Sequence, residues 1–301
     1  MSTIVSEKSL NRMMKPVLRK RGKVTLPYQE FNHTGTPKFE VYNIWDSDCM
    51  ALMDVIATIY FENMYGGMSI KEATEFIHKN PKMHVTENYI GSMVSDSTAW
   101  SDFILPYSTI KDTCPNRFLR KNIVSIRSLI DKVASCRFTL LYPVVFMKNG
   151  ELEKYYYSTR KFNGGIPQSF FSIKSRDETN NIDTLSFDSH LGLCFLLNVQ
   201  SMYFDIMPPV LYGLSEYAQF LYRHIRWNYR VTQFDQSELS KKLNLGKISN
   251  DRKLKIIDSA FSELKAAKCL KKIATLKCKR SGVTYYSFSK VIKNLNEIIS
   301  N

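Results

Sequence analysis

The last third of the chain most constrains the fold, because its hydrophobic spacing changes in a fixed order. In LSEYAQFLYRHI, residues 214–225, apolar residues recur every three or four positions, which predicts an amphipathic helix. A polar break leads to QSELSKKL, residues 236–243, a second short helix ended by Asn244 and Gly246. Ser249 and Asn250 offer an N-cap for a third helix with Leu254, Ile257, Phe261 and Leu264 on one face. The spacing then turns to alternation over residues 273–279 and 283–288, around a turn at 280–282. Three helices closed by a two-stranded hairpin make a winged helix, whose third helix normally enters a DNA major groove.

Charge is segregated along the chain. Residues 211–301 hold 18 Lys plus Arg against 7 Asp plus Glu, and residues 1–24 hold 7 against 1. Residues 25–210 are left with 17 against 20, so the formal net charge of +14 sits at the two ends. A solubility device would spread its charge, whereas a polyanion-binding surface concentrates it. A solvated basic face is the plain alternative. Coincidence with the helix–hairpin pattern favours nucleic acid.

A chain of 301 residues suggests about two domains, and 44% hydrophobic residues can fill real cores. No apolar run approaches the ~18 residues of a membrane span, and the N-terminus lacks the apolar region of a signal peptide. The expectation is a cytoplasmic protein with no membrane partner. Cys49, Cys114, Cys136, Cys194, Cys269 and Cys278 lie far apart with no CxxC pair. Buried free thiols in a reducing compartment are expected, with no zinc, other metal or cofactor. Cys269 and Cys278, both near the hairpin, are the one pair with an argument for facing each other.

Residues 1–45 contain the basic run KPVLRKRGK, 15–23, followed by Pro, Gly, Thr and His residues without a period. They read as a flexible basic arm, either lying on phosphates or simply disordered. In a eukaryote the same run would also serve as a nuclear signal. Ordered structure is expected from Asp46, with helices over 49–60 and 69–77 separated by Gly66 and Gly67. Residues 81–119 are ambiguous. Ile123, Ile126, Ile130 and Val133 then share one helical face, with the 3-4-3 spacing of the last helix. Strands over 138–147 and 152–158 flank Asn149 and Gly150, a strong hairpin signal because both turn positions need positive φ. Further strands are expected at 170–173 and 184–187. The fold class expected is therefore α+β, with two tandem winged-helix domains after the arm. The first, 46–212, would serve dimerisation, DNA binding or both; the second, 213–301, would bind DNA.

Helical geometry selects the residues that would touch DNA. Opposite the apolar face of the last helix fall Arg252, Lys255 and Ser259. Arg252 and Lys255 lie near its N-terminus, where an Arg can bond guanine bidentately. Lys277, Lys279 and Arg280 at the hairpin tip would grip phosphates or the minor groove. On the helix at 121–135 the same construction turns Lys121, Ser128 and Lys132 outward, with Ser125 beside them; ordinary solvation explains these equally well.

No catalytic constellation is present. The chain lacks a GxxxxGK[ST] loop, a His-x-His pair, GxSxG and HExxH. Three residues beyond His224 stands Trp227, not the Arg of a tyrosine recombinase. His190 and His224 fall in apolar-rich helical patterns and read as structural. Tyr155, Tyr156, Tyr157, Tyr285 and Tyr286 alternate on strands and read as sheet packing.

The junction FDIMPPVLYGLSEYAQFLY, residues 204–222, resembles the Rep-type replication initiators of iteron-containing plasmids. These pass from a hydrophobic helix and strand into a Leu-Ser-x-Tyr-Ala-x-x-Leu-Tyr helix, matched here by Leu214, Ser215, Tyr217, Ala218, Leu221 and Tyr222. The helix–hairpin–strand run from 121 to 187 fits their first module, so the resemblance covers about 121–288. It implies tandem winged helices that bind direct repeats of double-stranded origin DNA as monomers. Each repeat would span roughly two turns, since groove centres on one face recur every ~10 bp. It further implies recruitment of a host replication initiator and helicase, and a homodimer pairing through 46–210 on an inverted repeat. Two other readings stand beside it: a winged-helix transcriptional regulator, and a basic protein that binds RNA or a protein partner.

Overall fold

The fold is built around α1 (Ser47–Tyr65), whose sequence SDCMALMDVIATIYFENMY is apolar on nearly every side. A helix of that kind has no solvent face to offer and is buried all round. Asp46 caps it by accepting from the Asp48 and Cys49 N–H groups at 3.1 and 3.2 Å. Gly66, at φ 55°, ends it and returns its N–H to the Glu62 carbonyl at 2.9 Å. The structure is a computed structural model and describes residues 4–8, 10, 23–27, 38–42, 45–79, 102–139, 141–148, 151–158, 166–227, 231–246, 248–278 and 282–290.

Within residues 1–45, read as a flexible arm from their charge, the described segments 4–7, 23–27 and 38–42 are strands. Ile4–Glu7 form β1, which pairs antiparallel with β10 (Phe204–Met207) and packs on α1. Ile4 and Val5 are fully buried and Leu10 nearly so. β2 (Lys23–Pro27) pairs antiparallel with β3 (Lys38–Tyr42), and β3 pairs on its other side with β5 (Arg137–Thr139). The apolar, β-branched start of β1 is enough for a buried strand; the neighbouring basic run masks it in a charge count. Residues 11–22, with most of that run, lie outside the described residues.

Beyond α1 come α2 (Ile70–Lys79), β4 (Phe103–Pro106), α3 (Tyr107–Thr113), the short α4 (Pro115–Phe118) and α5 (Ile123–Ser135). β5 follows, then β6 (Leu141–Lys148), β7 (Glu151–Ser158), β8 (Ser172–Asp177), β9 (Ile182–Ser186), α6 (His190–Gln200) and β10. The hairpin anticipated at 138–158 exists as β6–β7, in strict register from Leu141↔Ser158 to Lys148↔Glu151. It does not close on α5. It forms its own two-stranded sheet beside α6, while the sheet against α3 and α5 has the order β4-β9-β8. Alternation and turn residues specify a hairpin locally; they carry no information on which layer it joins.

The last part of the chain comprises α7 (Glu216–Trp227), β11 (Gln233–Asp235), α8 (Gln236–Lys242), α9 (Asn250–Ala266), β12 (Leu270–Lys277) and β13 (Thr284–Lys290). Its sheet has the order β11-β13-β12, so the first strand pairs with the last. The same order, helix–strand–helix–helix–strand–strand with first strand on last, is traced by α1, β4, α3, α5, β8 and β9 once the intervening α2, α4 and β5–β7 are set aside. The correspondence reaches individual residues. α5 buries Ile126, Leu129, Ile130 and Val133, and α9 buries Ile257, Ala260, Phe261 and Leu264, at identical spacing.

The two halves share a core. α7 packs on α9 and also contacts α1 and the 3-10 turn Pro209–Gly213. Its polar residues Gln219, Arg223 and Arg226 are buried rather than solvated. No disulfide joins any of the six cysteines. Cys269 and Cys278 flank β12 at opposite ends, ~30 Å apart at ~3.4 Å per residue and out of disulfide reach. Among the described residues no helix is long and apolar enough to cross a membrane.

Candidate nucleic-acid interface

The setting of α9 about its own axis is fixed from inside. Phe261 stacks on Tyr286 of β13 with ring centroids 5.0 Å apart, and the Tyr286 hydroxyl donates to Asp258 at 2.9 Å. Ile257, Ala260 and Leu264 complete the buried face, and Leu254 packs at its edge. Arg252, Lys255 and Ser259 consequently stand on the exposed side of the helix. On β12, Lys271, Lys272 and Lys277 are exposed as well. Beyond Lys277 the Gly282 N–H donates to the Cys278 carbonyl at 2.9 Å, with Gly282 at φ 67°. Lys279 and Arg280, expected at the tip, lie outside the described residues.

α5 differs from the outward basic helix that its sequence suggested. Asn122 caps it, accepting from the Ser125 N–H at 2.8 Å, and Ser125 and Ser128 are exposed. Lys121, however, donates to Asp48 at 3.0 Å, and Lys132 is ion-paired with Asp46. Both lysines are half-buried against the first turn of α1, where Arg117 also meets Asp48. The physical reason is placement: carboxylates favoured at a helix N-terminus lie across from α5 and draw its cations inward. Burial works against the Asp46 carboxylate, yet Lys132 and the Cys49 N–H hold it below its ordinary range. Glu216, in the first turn of α7, joins the cluster by accepting from the Ser47 N–H at 3.2 Å. Burial first, and the charge on Asp46 second, push its carboxyl up to about 7.

Other polar contacts hold the first half together and carry no periodic signal in the sequence. Arg176 of β8 grips Asp183 through two N–H groups at 2.7 and 2.9 Å and Asp131 of α5 at 2.7 Å. The Tyr107 hydroxyl donates to the same Asp183 at 3.0 Å. The β8–β9 turn is closed by Asp177, which accepts from the Thr179 and Asn180 N–H groups at 3.0 Å. That turn exposes Asp177 and Glu178 where the β12–β13 hairpin exposes Lys277. His224 packs on Phe234 at 4.7 Å, with Nε2 3.7 Å from the Glu238 carboxylate, as a structural residue would. Among the described residues no three His, Cys, Asp or Glu side chains come together as metal ligands.

No family model matches the chain, and no curated protein matches it. Among solved structures, the selenomethionine crystal structure of domains 2 and 3 of RctB is similar, at 14% identity and TM-score 0.54. The match covers 94% of this chain and 98% of that one. A second structure of RctB domains 2–3, spanning 155–483, matches at 14% identity and TM-score 0.49, covering 94% and 97%. At such identity the likeness is one of fold.

Proposed function

We propose that the chain is a double-stranded DNA-binding replication initiator whose halves are tandem winged helices. The observation that carries the reading is the repeated helix–strand–helix–helix–hairpin order, with Arg252, Lys255 and Ser259 on the solvent face of the second reading helix. The fold shared with RctB, a Vibrio replication initiator, supports it. Arg252 is assigned to a guanine edge, Lys255 and Ser259 to neighbouring bases. Lys277, Lys279 and Arg280 take phosphates. Ser125 and Ser128 represent the first half at the groove, while Lys121 and Lys132 are assigned to folding. In this reading the chain is not an enzyme and needs no cofactor. It marks repeated origin sites and brings in a host initiator and helicase, and a homodimer pairing through residues 46–212 acts as the repressor form.

Selection of bound duplexes from random DNA tests the reading. Enrichment of one sequence spanning about two turns, recurring as direct repeats in its source DNA, is the expected result. A palindrome alone would point to a transcriptional regulator. No enrichment would overturn sequence-specific binding.

A further inference from the structure

The buried residues of α5 and α9 set a register between the two helices. Aligning Ile126 with Ile257 and Val133 with Leu264 places Lys121 opposite Arg252, Ser128 opposite Ser259 and Val124 opposite Lys255. The second half thus carries a cation where the first carries a methyl-bearing side chain. Val124 is 71% exposed, Leu119 61% and Ile123 39%. The cations around them are turned away: Lys121 to Asp48, Arg127 to Glu178 at 3.0 Å, and Lys132 to Asp46. Arg120 is exposed and makes no ion pair among the described residues. What α5 and the residues just before it offer to solvent at this end is therefore chiefly methyl groups, bordered by the Asn122 amide, the Ser125 and Ser128 hydroxyls, and one guanidinium.

Major-groove edges differ in what can meet such a surface. Guanine and adenine present polar groups there, cytosine an amino group, and thymine alone an apolar one, its C5-methyl. We infer that α5 reads thymine methyl groups, with Val124 as the principal contact and Ile123 and Leu119 beside it. Ser125 and Ser128 bond adjacent base edges or phosphates, and Arg120 anchors the strand. The two halves then read different chemistry: methyl groups under α5, guanine edges under α9. A protein partner fits the patch less well. Three side chains ringed by Arg120, Asn122, Ser125 and Ser128 fall far short of the ~800 Å² per partner of a stable interface. The inference rests on the tandem winged-helix reading.

Deoxyuridine provides the test, because it lacks the methyl group and keeps every hydrogen-bonding group of thymine. On a duplex recovered by selection, the segment at which Arg252→Ala relaxes base preference belongs to the second half, and the remainder to the first. Fluorescence anisotropy with the full chain then compares thymine and uracil in each segment. Uracil in the first segment is expected to weaken binding roughly fourfold per methyl contacted. Uracil in the second segment leaves binding unchanged. Val124→Ala, at an exposed position that leaves the fold intact, binds the two first-segment duplexes alike. Equal binding of thymine and uracil by the unaltered chain, with the site still specifically bound, overturns the inference and leaves the initiator reading standing. So does a Val124→Ala variant that keeps the discrimination and changes only self-association in sedimentation. Absence of any specific duplex binding overturns both.

Discussion

Arg223 of α7 and Asp54 of α1 form an ion pair closed to solvent, each side chain 1% exposed. Its remaining valences are filled from elsewhere in the chain. The Ser6 hydroxyl donates to Asp54 at 2.5 Å, the Tyr212 hydroxyl donates to it at 2.8 Å, and Arg223 also donates to the Ser6 oxygen at 2.8 Å. One buried polar cluster therefore joins β1, α1, the 3-10 turn and α7. It holds α1, which packs on α5, against α7, which packs on α9.

Breaking this pair on one side leaves a buried charge without a partner. Arg223→Met or Asp54→Leu alone should lower stability by about 3–5 kcal/mol, and the two together should recover much of the loss. Chemical denaturation of the four proteins measures the cycle. A double variant no better than the worse single one would show that Ser6 and Tyr212, not the pair, dominate the cluster.

The fate of the lysines on α5 and α9 separates folding from binding. Lys132→Ala removes the cation paired with the half-buried Asp46 and should lower the melting temperature while leaving DNA affinity and its salt dependence unchanged. Lys255→Ala, on an exposed face, should leave the melting temperature within a degree or two and weaken binding. Paired thermal melts and titrations at two salt concentrations distinguish them; a loss of affinity in Lys132→Ala at unchanged stability would contradict the assignment.

What sequence reveals here, and what it hides, follows from the range of the interactions. The helices α5, α7 and α9 and the two hairpins are written in local spacing, so Ile126, Ile130 and Val133 on α5 and Ile257, Phe261 and Leu264 on α9 are recognisable from periodicity alone. The exposed side of α9, with Arg252, Lys255 and Ser259, follows from the same periodicity. β6–β7 is recognisable as a hairpin, but its place in a separate sheet beside α6 is not, because the choice of layer is a tertiary matter. Arg223, Arg226, Lys121 and Lys132 look like surface cations in a charge count. Only the fold brings Asp54, Asp205, Asp48 and Asp46 to them. The burial of β1 is hidden for a related reason: its partner, Phe204–Met207, lies some 200 residues away.

Glu216 should impose a pH dependence near neutrality. Its carboxyl titrates at about 7 in the folded chain against an ordinary 4.5. The folded state thus holds the proton more tightly, and the associated stability is present below the ordinary value and lost as pH rises through about 7. Glu216→Gln keeps an acceptor for the Ser47 N–H and cannot ionise. Its melting temperature should exceed that of the unaltered chain by a margin that widens by a few degrees from pH 5 to pH 8. A constant margin would place the effect outside ionisation. Asp46, held low by Lys132, contributes only at more acid pH.

Base reading and phosphate grip should differ in their sequence dependence. Arg252→Ala is expected to relax preference at one or two positions of the selected site, at a cost of ~1–3 kcal/mol there. Lys277→Ala should instead weaken specific and random duplexes alike and shallow the salt slope by about 0.9. Binding to a panel of single-base variants measures both; equal, sequence-independent losses would remove α9 from base reading.

The central claim, that both halves lie on one duplex as successive groove-reading modules, is tested most directly by the footprint of the full chain on its selected site. With α5 and α9 on successive grooves, one copy should protect roughly two helical turns, about 20 bp, in two segments centred ~10 bp apart. Hydroxyl-radical footprinting, with the number of chains per duplex read by sedimentation, supplies both quantities. Protection of a single segment of about one turn by one chain would contradict the claim and leave α9 as the only DNA-reading element.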